Sequence, residues 1–164
     1  MYPMMIFFAL LTLLHGEGGV LKVDWSNLNG KSLQKPRLLP QKLKKGIQSV
    51  TLPVYIPSQY LRNPDLVIVS DKNFYSVIIP LEGATLMVSG DRTYQDKFNK
   101  LELRNSTPNG VIHSNGMATL DFFKHGVSYS LAIECNRGVQ DPRCGGDSFL
   151  NGIYKSLLFV GGKR

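Results

Sequence analysis

Cysteine, histidine and acid are all scarce in this 164-residue chain, which has two Cys, three His and 12 Asp or Glu against 19 Lys or Arg. Each shortage excludes a chemistry. A structural zinc site takes four closely spaced ligands, and Cys135, Cys144 and the scattered histidines offer no such pattern. Redox catalysis favours a C-x-x-C pair that lowers a thiol pKa, whereas Cys135 and Cys144 stand nine positions apart. No apolar run reaches the ~18–20 residues of a spanning helix, so no transmembrane span is expected. Nucleotide-binding glycine patterns are missing, as are the G-x-S-x-G and S-x-x-K serine motifs. No metal and no cofactor is implied.

What is present begins with Met4 to Leu14, an unbroken apolar run followed by His15-Gly16-Glu17-Gly18-Gly19. That length suits the core of an export signal, and residues 1–18 are predicted to be a signal peptide. The protein is then periplasmic or secreted. In an oxidising compartment Cys135 and Cys144 are expected to form a disulfide, worth ~2.5–3 kcal/mol by the chain-entropy model.

Residues 19–48 follow as a predicted basic, extended arm or linker. Lys31, Lys35, Arg37, Lys42, Lys44 and Lys45 fall here with Pro36 and Pro40, and no acid occurs between Asp24 and Asp65. Such charge would attract an anionic envelope component. Aromatic residues able to stack on bases are missing from the basic run, so nucleic acid is not the expected partner.

From residue 49 to 164 the chain reads as one β-rich globular domain. Short runs such as Leu66–Val69 and Phe74–Leu81 are bounded by turn residues, and Glu82-Gly83 marks a hairpin into Ala84–Val88. Leu101-Glu102-Leu103 alternates like a half-exposed strand. Val127, Tyr129, Leu131 and Ile133 alternate with small or polar residues, the period of a strand with one buried face. Asp147-Ser148 opens a predicted short helix with Phe149, Ile153 and Leu157 on one side, before a last strand at Leu157–Val160. The fold class expected is α+β and strand-dominated: a single domain with a largely antiparallel sheet and one or two short helices. Long amphipathic crossover helices, which a parallel sheet requires, are missing.

Two functional readings follow. In the first, an exported, non-catalytic binding or envelope-associated protein meets an anionic surface or a protein partner. Its contacts are the basic arm and the loop between the cysteines, with Arg137 and Arg143. The alternative is a small secreted hydrolase using Asp121, Glu134, His113 or His125 for acid/base work, since paired carboxylates can cleave glycosidic bonds. Asn105-Ser106-Thr107 also matches a glycosylation sequon, with Pro108 directly after it.

Overall fold

The computed structural model describes residues 19–26, 28, 39–94, 108 and 110–164. The signal-peptide reading, Lys31, Lys35 and Arg37, the Leu101–Leu103 strand and the sequon at Asn105 lie outside these residues.

Six strands form the main sheet, all antiparallel: β3 (Val67–Ser70), β4 (Phe74–Leu81), β5 (Ala84–Asp91), β7 (Ile112–Ser114), β8 (Met117–Lys124) and β9 (Val127–Cys135). Their order is β3-β4-β5-β9-β8-β7. The sheet is therefore two three-stranded meanders joined where β5 meets β9. Tight turns set the registers. Asn115-Gly116 and His125-Gly126 both have positive φ at both residues, the geometry of the two-residue hairpin turn that matches strand twist.

Alternation assigns the two faces. Tyr75, Val77 and Ile79 of β4, Leu86 and Val88 of β5, and Tyr129, Leu131 and Ile133 of β9 are all buried on the inner face. The second layer covers that face. It holds α1 (Gln41–Ser49), α3 (Ser148–Ser156) and a two-stranded antiparallel ribbon of β2 (Val54–Pro57) with β10 (Leu157–Gly161). Helix α3 packs on β8, β9 and β2, while α1 sits against the β3 edge. Inward tyrosines keep their hydroxyls bonded: Tyr75 Oη accepts the Tyr55 N–H at 3.0 Å, and Tyr129 Oη donates to the Pro53 carbonyl at 2.9 Å. A short pair, β1 (Gly19–Val20) with β6 (Thr93–Tyr94), completes the strands among the described residues.

The domain is strand-rich and antiparallel, as the alternation implied. Two local expectations differ. Residues 41–48, read as part of an extended arm, are helical: Leu43 and Ile47 are buried four apart, with Lys42 and Lys45 turned outward. Three lysines in so short a stretch masked this two-residue apolar seam. The beginning of the arm is also packed, since Val23 is only 7% exposed. In addition α2 (Pro142–Gly145) forms inside the cysteine loop, so three α-helices are present among the described residues rather than one or two. In α3 the buried residues are Leu150 and Ile153, with Phe149 at the margin.

Candidate functional site

Two surfaces at opposite ends of the sheet carry the residues that the sequence singled out. The first is the loop after β9. Cys135 and Cys144 form a disulfide with their Cα atoms 6.2 Å apart, and both residues are buried. The loop is tied down on several sides. Asn136 N–H donates to the Gly83 carbonyl at 3.0 Å, and Cys135 N–H donates to that of Gly116 at 3.1 Å. Asp141 caps α2 by accepting the Arg143 N–H at 3.0 Å, and Pro142 stands where a helix start tolerates proline.

Arg143 closes back on this cap. Its Nε donates to Asp141 Oδ1 at 2.9 Å, and its Nη2 donates to Oδ2 at 2.6 Å and to the Glu82 carbonyl at 2.9 Å. The Arg143 side-chain and backbone donors hold the Asp141 carboxyl down to about 2. Arg143 thus fastens the loop to the β4–β5 turn. Arg137 instead stands exposed, near Val139, which is 65% exposed. The loop therefore displays a basic and an apolar side chain on a braced frame.

His113 adds a further brace. Its Nδ1 lies 2.8 Å from the Cys144 carbonyl oxygen and its Nε2 lies 2.8 Å from Asp147 Oδ1. Both neighbours accept, so the doubly protonated ring satisfies the site best. The Asp147 bond, then the Cys144 bond, raises the His113 pKa. His125 differs: it is buried in the β8–β9 turn with its ring stacked on Tyr55, and burial lowers its pKa.

The hydrolase geometry is not assembled by Asp121 and Glu134. Both project from the outer face, but Asp121 pairs with Ser130 while Glu134 lies four residues further along β9. That offset is ~13 Å along the strands, beyond the ~5–9.5 Å that separates glycosidase carboxylates. Both cysteines are oxidised, which removes a Cys–His nucleophile. Among the described residues, no group of three His, Cys, Asp or Glu could hold a metal ion.

The second surface is at the opposite end of the strands, where α1 runs into the connector at residues 50–52. Lys72 and Lys163 meet this connector through their backbones and Arg92 through its side chain, with Arg164 next in the chain. Thr51 N–H donates to the Lys72 carbonyl at 2.8 Å, and Lys163 N–H donates to that of Val50 at 2.7 Å. Arg92 Nη1 donates to the Thr51 carbonyl at 3.2 Å, with Nε on Asn73 Oδ1 at 2.9 Å. Arg164 lies over the Trp25 ring, 6.0 Å from its centroid. Helix α1, which carries Lys42, Lys44 and Lys45, leads directly into this connector.

Acids nearby are engaged in their own turns. Asp71 Oδ1 accepts the Lys72 N–H at 2.6 Å, and Asp91 Oδ1 accepts the Thr93 N–H at 2.7 Å and its hydroxyl at 2.8 Å. The loop end, by contrast, holds Glu82, Glu134, Asp141 and Asp147 with Arg137 and Arg143. The molecule is thus electrostatically polar along its strands.

Lys72, Arg92, Lys163 and Arg164 were not selected from the sequence, because they are scattered along it and only the topology gathers them. The His113–Asp147 pair is likewise non-local. Asn115-Gly116, a strong hairpin dipeptide, was the one signal able to place His113 on a strand. No family model, curated protein or solved structure matches this chain.

Proposed function

We propose that this chain is an exported, non-catalytic protein that binds an anionic envelope surface through the basic end of its sheet. The observation that carries this reading is the meeting of Lys72, Arg92 and Lys163 at the connector that follows α1, with Arg164 next in the chain. Basic side chains near an anionic surface each contribute about 1 kcal/mol, so a rigid group of this size suffices for reversible attachment. Export rests on the apolar run Met4–Leu14; the disulfide is compatible with it. The braced loop with exposed Arg137 and Val139 supports a second contact, with a protein partner at the other end.

Vesicle co-sedimentation tests the first contact. The oxidised mature chain is expected to pellet with vesicles containing anionic phospholipid, to stay in solution with zwitterionic ones, and to release as salt rises from about 0.05 to 0.5 M. Equal binding to both vesicle types, or binding indifferent to salt, would contradict the reading.

A further inference from the structure

The outer face of the six-stranded sheet carries a composition at odds with the rest of the chain. The protein has 19 Lys or Arg, yet none stands at an outward position of the six strands. One row, read straight across the paired strands, is Val67–Ile78–Met87–Ala132–Thr119–Ile112. Its ends are open, with Val67 51% and Ile112 65% exposed, and Val69 beside Val67 is 50% exposed. The next row is small and neutral at its centre, where Ser89 Oγ donates to Ser76 Oγ at 2.9 Å beside Ser130. At the end of the face next to the β8–β9 turn, outward Phe123 is buried, so that corner is already covered, while the row itself ends in exposed residues.

We propose that this face is the interface of a symmetric dimer, with a second copy of the chain packed sheet to sheet. The order β3-β4-β5-β9-β8-β7 makes the row self-complementary about a two-fold axis running along the β5–β9 boundary. Such an axis sets Met87 against Ala132 of the other copy, Ile78 against Thr119, and Val67 against Ile112. Each pair matches a larger side chain with a smaller one, or two aliphatics at the rim. The same axis sets Asp121 against Ser76 and Glu134 against Thr85, so like charges are never opposed.

The size is adequate. Six strands at ~4.8 Å and three outward positions at ~6.8 Å give a footprint of about 600 Å² per copy, or about 1,200 Å² in total. That meets the lower bound of stable, specific interfaces, ~1,200 Å². An axis parallel to the strands also turns both basic ends the same way. On the reading proposed above, two such ends would engage one surface together; the dimer itself stands without that reading.

Sedimentation equilibrium on the oxidised mature chain tests the proposal. The mass is expected to double between low and high micromolar concentration. Met87→Lys and Ala132→Glu are each expected to give the single-chain mass with an unchanged far-ultraviolet circular dichroism spectrum. Mixed one to one, they are expected to regain the doubled mass, because Lys and Glu then face each other across the axis. A wild-type protein that keeps the single-chain mass up to about 100 μM would overturn the proposal. So would a dimer indifferent to both substitutions, or a mixture that fails to reassociate.

Discussion

Gly90 and His113 each hold one point of the structure that no neighbouring residue could supply. Gly90 pairs with Tyr75 on one side and Tyr129 on the other, and an added Cβ would lie 2.7 and 2.9 Å from their ring carbons. Those rings cannot easily yield, since both tyrosines are 1% exposed and both hydroxyls are bonded. Gly90→Ala is therefore expected to lower unfolding free energy by about 1–3 kcal/mol in urea denaturation, the cost of overpacking a filled core. His113 offers a test by pH. Its folded pKa is raised, so its stabilising contribution is complete below the unfolded value of about 6.5. The contribution is lost as pH rises through the higher folded value. Relative to His113→Gln, the wild-type urea midpoint should fall over that interval, in step with the imidazole titration seen by NMR. A constant difference between the two proteins across the interval would show that the two bonds do not act on stability.

Among the elements, the long strands were legible because their chemistry is local. The alternating run from Val127 to Cys135 needs only a period of two, and β4 and β8 are bounded by turn residues. Helix α1 was hidden because its apolar seam is two residues, Leu43 and Ile47, in a stretch dominated by charge. The cysteine loop was legible as a disulfide but not as a braced frame. Its bracing comes from Glu82, Gly83, His113 and Gly116, distant in sequence and adjacent only once the meanders pair. Replacing both Cys135 and Cys144 by Ser is expected to cost ~2.5–3 kcal/mol by the chain-entropy model, read from the urea midpoint. If the bracing holds the loop, Asn136 and Gln140 amides should still exchange more slowly in that variant than when Arg143→Ala is added. Equal exchange in both would remove the claim that Arg143 fastens the loop.

At the scale of the whole molecule the organising property is charge polarity along the strands. The sequence showed an excess of basic residues and a run without acid from Asp24 to Asp65, which pointed to an arm and to the cysteine loop, not to this end of the sheet. Folding brings Lys72, Arg92 and Lys163 to the connector after α1, and of the nine described acids it sets Glu82, Glu134, Asp141 and Asp147 near the loop and Asp121 on the outer sheet face. A long-range gathering of this kind has no sequence period, which is why strand register was needed to find it. The pairing of Asp121 with Glu134 as glycosidase carboxylates is ruled out for a related reason: they occupy neighbouring strands, as the sequence allowed, but their register separates them by ~13 Å.

The most direct test of the account compares two charge-reversed proteins of equal net charge. One carries Lys72→Glu and Lys163→Glu at the basic end; the other carries Arg137→Glu and Arg62→Glu at the loop end, where Asn63 beside Arg62 donates to the Pro80 carbonyl. Affinity for anionic vesicles is measured for both beside the wild type. The account predicts that the first loses at least tenfold in affinity, at about 1 kcal/mol per basic residue near the surface, while the second stays within about threefold of wild type. Equal losses would mean that net charge alone governs attachment, and the claim for a dedicated basic end would be wrong.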